Sequence, residues 1–210
     1  MPVVWQKQNK EYSLLVWKSI EQMSDLLQNA ALSQRETADW NSFKSESRKR
    51  EWLTVRNALK LLIPGANGSS IYYDGNGKPQ LIEDGFISIS HTQEYIAVLK
   101  SNISEIGVDI EFIHPRIEKL SQKFLGDAEK LALSDENKIE KLHVIWGAKE
   151  VLYKIHSIGG IDFKKDLFVH PFDYHVNGEL KASILKKGFK QDYKISYEKT
   201  DQCMLTWAIG

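Results

Sequence analysis

Apolar and polar positions change period several times along the 210-residue chain. Leu14, Trp17, Ile20, Leu26 and Leu27 recur at close to 3.6 residues, which predicts a helix across residues 11–30. A second helical pattern runs through "SESRKREWLTVRNALKLL", with Ser45 as its cap and Pro64-Gly65 as its stop. "SSIYYDGNGKPQL" reads as a hairpin that turns at "DGNG". "GFISISHTQEYIAVLKS" reads as strand, loop, strand, and "SEIGVDIEF" as a further strand. A helical region from about Ile117 to Ala132 precedes a long helix around "KLHVIWGAKEVLYKIHSIGG". From Ile161 onward the chain alternates in short strand-like runs.

The order helix then strand pair occurs twice. "TVRNALKLLIPG" can be laid over "GAKEVLYKIHSIGG", and "FISISHTQEYIAVL" over "YKISYEKTDQCMLTWAI". This pattern predicts an α+β protein of two similar α/β halves, residues 1–103 and 104–210, related by pseudo-twofold symmetry.

Two places carry charge where the pattern calls for apolar residues. Asp109 and Glu111 interrupt an apolar strand at alternating positions, so they share one face while Val108, Ile110 and Phe112 point into the core. Adjacent carboxylates repel, and a cation, a metal ion or a shared proton must compensate. On the long helix, Leu142, Ile145, Trp146, Leu152, Tyr153 and His156 form a stripe with Lys149 at its centre. Lysine is rarely fully buried without a partner. Glu150 lies at the edge of the stripe, and Lys154 follows it by four residues on the same face. Asp109, Glu111 and Glu150 with Lys149 and Lys154 suit a hard divalent cation such as Mg²⁺ and the neutralisation of phosphate charge.

Composition narrows the class. The formal net charge is zero, which argues against a nucleic-acid partner. One cysteine, Cys203, excludes an intramolecular disulfide and a cysteine zinc cluster. No apolar run is long enough to span a bilayer, and the first residues lack the charged start and apolar core of a signal peptide, so a cytoplasmic protein without a membrane partner is expected.

"IGVDIE", followed about forty residues later by "WGAKEVLYK", resembles the signature of the 4'-phosphopantetheinyl transferases. Gly107, Val108 and Asp109 match its strand motif, and Trp146, Lys149, Glu150 and Lys154 its helix motif. Glu111 resembles the mark of the long, monomeric, surfactin-synthetase-activating type. "GKP" at Gly77 to Pro79 and "SISH" at Ser88 to His91 resemble further family motifs, although Gln80 and Thr92 stand where an aromatic and a small residue are frequent.

The resemblance implies the reaction and its parts. Coenzyme A is the co-substrate and binds in the cleft between the halves, its contacts coming mainly from the first half and the metal and catalytic motifs from the second. Asp109, Glu111 and Glu150 hold Mg²⁺, with Mn²⁺ as the alternative ion. Glu150 takes the proton of a serine on an apo acyl or peptidyl carrier protein, and Lys154 stabilises phosphate charge. Phosphopantetheine is transferred and adenosine 3',5'-bisphosphate leaves, the reaction of a holo-[acyl-carrier-protein] synthase. Arg48 or Arg56, Lys78, Pro79, Ser90, His91, Lys149 and Lys154 contact the coenzyme. Two other classes compete. A non-catalytic coenzyme A and carrier-protein binding module of the same fold would break the signature, and here the signature is complete. A metal-dependent nuclease would carry an acidic-x-Lys triplet after its aspartate, and "DIEF" has none.

Overall fold

The computed structural model describes residues 2–63, 71–75, 77–82, 85–156, 160–186 and 188–210. Pro64 and Gly65, the expected helix stop, and Asn76 of the expected turn lie outside these residues. The chain divides into two compact units, Met1–Ser104 and Glu105–Gly210. Each combines helices with antiparallel strands, and the architecture is α+β. Among the described residues, no helix is long and apolar enough to cross a membrane.

Unit 1 contains β1 (Val3–Gln8), β2 (Tyr12–Lys18), α1 (Met23–Ala30), α2 (Gln34–Ser42) and α3 (Glu46–Leu62). These are followed by β3 (Ile71–Tyr73), β4 (Pro79–Leu81), β5 (Phe86–Thr92) and β6 (Tyr95–Ser101). Its main sheet has the order β1-β2-β6-β5, and β3 pairs with β4 as the hairpin expected from "DGNG". The helix expected over 11–30 is corrected: its first part is strand β2, and only α1 is helical. Leu14 to Trp17 form a continuous apolar run inside the sheet, buried on both faces. Such a run lacks the alternation that separates strand from helix. Helix α3 starts where Ser45 predicts, with the Ser45 hydroxyl accepting from the Arg48 amide at 3.3 Å. It buries Val55, Ala58, Leu59 and Leu62 against the sheet, and Trp52 and Leu53 against α1.

Unit 2 contains β7 (Ile106–Phe112), α4 (Ile117–Phe124), α5 (Asp127–Ala132) and α6 (Lys138–His156). Four more strands follow: β8 (Leu167–Val169), β9 (Asn177–Lys186), β10 (Phe189–Thr200) and β11 (Cys203–Ile209). The sheet order is β7-β11-β10-β9-β8. Strands β9 and β10 have ten and twelve residues, longer than the short runs expected.

One face of this sheet carries α6. In the β7–β11 register Gly107 opposes Ala208, Asp109 opposes Thr206 and Glu111 opposes Met204, so these residues share a face. A Cβ on Gly107 would stand 2.6 Å from the Val151 carbonyl oxygen, and one on Gly147 would collide with the Thr206 hydroxyl. The missing side chains let the helix lie directly on the strand. This corrects the expectation that only Val108, Ile110 and Phe112 face a core. Residues 106–110 are buried on both faces, and the carboxylates point under α6.

Candidate active site

Helix α6 repeats a functional side chain every four residues. Trp146, Glu150 and Lys154 therefore fall on one face, and that face meets β7. At one end the Trp146 indole donates to Glu111 Oε1 at 2.9 Å. At the other, Lys154 Nζ donates to Asp109 Oδ1 at 3.0 Å and to the Val108 carbonyl at 2.7 Å. Glu150 sits midway between the two anchors. The structure thus brings together Asp109, Glu111, Glu150 and Lys154.

The electrostatics of the cluster follow from this enclosure. Asp109 is only 3% exposed. Glu111 is pushed up to about 7, first by burial and then by the charge of Asp109, against the opposing Trp146 hydrogen bond and Lys154. Glu150 is also pushed up to about 7, by burial first and Asp109 second, with Lys154 opposing and Glu111 adding to the rise. Three carboxylates and one ammonium sum to −2 when all are ionised. That is the charge a divalent cation cancels, and carboxylate oxygens are the ligands a hard ion takes. The donor chemistry and charge therefore fit Mg²⁺. As they stand the carboxylates do not converge: no group of His, Cys, Asp and Glu among the described residues is gathered closely enough to hold a metal.

A pH dependence follows. Both glutamates titrate near 7 in the folded chain against an ordinary value of 4.5. The folded state then binds protons more tightly than the unfolded one, so stability falls as pH rises from about 4.5 to about 7 and levels off above. With a chelator present, thermal melts should show a lower Tm at pH 8 than at pH 5. Asp109→Asn should flatten that slope, because the Asp109 charge is the second cause of both shifts. Equal slopes in the two proteins would remove Asp109 from the cluster.

Lys149 is the residue that sequence reasoning misplaced. It does not join the carboxylates. Its ammonium is fully buried and donates to Glu129 Oε2 at 2.7 Å and to the carbonyls of Phe124 and Phe163 at 2.7 and 2.8 Å. An ammonium has three donors, and all three are used inside the chain. The expected direct contact between Lys149 and coenzyme is therefore corrected. Its partner Glu129 lies twenty residues away on another helix, at a spacing that no local rule would select.

In unit 1 the two arginines separate. Arg56 is buried, donates from Nε to Glu36 Oε1 at 3.1 Å and from its terminal nitrogen to the Trp52 carbonyl at 3.3 Å, and is lowered by burial to about 10. Arg48 is more open and pairs with Glu51. The second oxygen of Glu51 lies 3.4 Å from His91 Nε2. Glu51, which drew no attention in the sequence, thus gathers Arg48 and His91. His91 stands inside β5 rather than in a loop, with its side chain 55% exposed. Ser90, its neighbour, is buried. Lys78 donates its amide to Asp74 Oδ1 at 3.0 Å, its ammonium is lowered by burial, and Pro79 opens β4. Arg48, Trp52, Arg56, Tyr72 and Tyr73 line a cavity of about 510 Å³ within this unit.

Comparison with known proteins places these features in a family. The model of the 4'-phosphopantetheinyl transferase superfamily matches residues 105–207, which hold β7 and α6. A holo-[acyl-carrier-protein] synthase of Staphylococcus haemolyticus is 37% identical over 37% of this chain and 77% of its own. A putative 4'-phosphopantetheinyl transferase of Synechocystis sp. is 27% identical over 62% of this chain and 58% of its own. A 4'-phosphopantetheinyl transferase of Nostoc sp. is 28% identical over 66% of this chain and 64% of its own. The match to these last two thus spans less than two thirds of their length. With the strand carboxylates and the helix motif inside the matched span, the chain belongs to the 4'-phosphopantetheinyl transferase superfamily.

Proposed function

We propose that the protein transfers the 4'-phosphopantetheine group of coenzyme A to a serine of an apo acyl or peptidyl carrier protein. The observation that carries this reading is the cluster of buried Asp109 with half-buried Glu111, Glu150 and Lys154, on the elements the family model matches. Asp109, Glu111 and Glu150 would hold Mg²⁺, which, when bound, neutralises pyrophosphate charge and polarises the reacting phosphoryl group.

The remaining work falls to the chain. The carrier serine oxygen bonds to the β-phosphorus, and the bond from that phosphorus to the bridging oxygen breaks. The α-phosphate leaves as part of adenosine 3',5'-bisphosphate. Glu150 accepts the serine proton; a carboxylate whose pKa lies near 7 is matched to that task at neutral pH. Lys154 sets the position of Asp109 and places positive charge where negative charge develops. In unit 1, Arg48 and His91 take the 3'-phosphate, with Glu51 as the carboxylate they release on binding it. Ser90 supports His91 from the same strand, and Lys78 and Pro79 meet the adenosine end. Arg56 serves as a wall of the cavity, held by Glu36.

The product pair tests the reading. With Mg²⁺ and an apo carrier, adenosine 3',5'-bisphosphate should appear in proportion to coenzyme A consumed, as chromatography measures. A carrier whose acceptor serine is alanine should give none. No release with fatty-acid, polyketide and peptide-synthetase carriers alike would overturn the activity.

A further inference from the structure

Lys149 and Glu150 are neighbours in the sequence and face different surroundings. Successive helix positions are about 100° apart, so Glu150 meets β7 while Lys149 enters the interior. There it touches two carbonyls, those of Phe124 at the end of α4 and Phe163 in the segment after α6. The rings of these same two residues flank Trp146. Phe124 lies 5.1 Å from it and tilted, and Phe163 lies 5.4 Å from it and stacked. Trp146 in turn holds Glu111 through its indole N–H. Glu129 completes the frame. It accepts from Lys149 and from the Gly126 amide at 2.8 Å on one oxygen, and from the Val169 amide at 2.8 Å on the other.

We propose that the buried Lys149–Glu129 pair is a positioning device for Glu111, acting through the Phe124–Trp146–Phe163 ring stack. The pair fixes the backbone of both flanking rings. The rings fix the plane of the indole, and the indole fixes one oxygen of Glu111. This places Lys149 in the machinery although it touches neither coenzyme nor the carboxylates, and it gives the spacing of Trp146 and Lys149 a physical reason. The link to metal binding rests on the reading of Glu111 given above; the link from Lys149 to Trp146 does not.

The test therefore reads both ends. In ¹⁵N-labelled protein, Trp146→Phe identifies the indole resonance of Trp146. Lys149→Met/Glu129→Gln removes both buried charges together, which avoids stranding one of them. In this folded double variant the Trp146 indole proton should shift towards an unbonded position and exchange faster with water. Mg²⁺ affinity measured by calorimetry with coenzyme A present should fall about 10- to 100-fold, the usual effect of losing a partner behind a metal ligand. Adding Trp146→Phe to the double variant should cost little more. An unchanged indole resonance and exchange rate in the folded double variant would overturn the proposal. Should that variant not fold, Phe163→Leu, which keeps the carbonyl bonded to Lys149 but removes one ring, should move the same resonance, and its failure to do so would overturn the proposal equally. A moved resonance with no Mg²⁺ binding even in the unaltered protein would refute the metal reading and leave the device standing.

Discussion

Glu150→Gln is expected to lower kcat about a hundredfold or more, the usual scale for a lost general base. The substitution keeps shape and size and removes only the ability to take a proton and to carry charge. Glu150 stands between Trp146 and Lys154 on α6, and its pKa is set by burial and by Asp109, Lys154 and Glu111 rather than by hydrogen bonds. Few packing or bonding terms are lost with the charge, so the fold should survive. In metal-free protein at neutral pH the variant should melt at the same or a higher temperature, since one repelling carboxylate is gone. Steady-state kinetics and thermal melts on the same preparation check both halves. An active variant would remove Glu150 from proton transfer, and an inactive but unfolded one would point to a structural role.

Asp109→Asn is expected to lose at least as much. Losing a metal ligand forfeits several kcal/mol of charge stabilisation, and at 1.36 kcal/mol per tenfold this is about a thousandfold or more. Added Mg²⁺ should restore little of it. Asparagine is the informative replacement because Asp109 also has a structural duty. Its carboxylate accepts from Lys154 in an enclosed position. Asparagine still offers an oxygen to that ammonium, whereas alanine would leave it without its carboxylate partner. Asp109→Ala should therefore be less stable than Asp109→Asn, with both inactive. An Asp109→Asn protein with full activity at limiting Mg²⁺ would contradict the assignment of Asp109 to the metal.

Much of unit 2 was legible because its chemistry is local. The alternation of Asp109 and Glu111 put both on one strand face, and spacing of four put Glu150 and Lys154 on one helix face. The structure brings those four side chains together. What the sequence could not reveal depends on distant contacts. The indole of Trp146 reaches Glu111 across thirty-five positions, and Lys149 finds Glu129 across twenty. Neither distance has a period. Unit 1 shows a different limit. Leu14 to Trp17 are apolar without alternation because both faces of β2 are covered there, so periodicity could not tell the run from helix. The Ser33–Glu36 capping box opens α2, but its spacing carries no sign that Glu36 also holds Arg56 twenty positions on. The gathering of Arg48 and His91 on Glu51 needed the fold, since it joins a helix to a strand.

The most direct test is the mass of an apo carrier protein after incubation with coenzyme A, Mg²⁺ and either the unaltered protein or Asp109→Asn. The account predicts a gain of one phosphopantetheine group, ~340 Da, on the carrier serine with the unaltered protein, and none with Asp109→Asn. No gain with the unaltered protein on carriers of all three kinds, or the same gain at the same rate with Asp109→Asn, would contradict it.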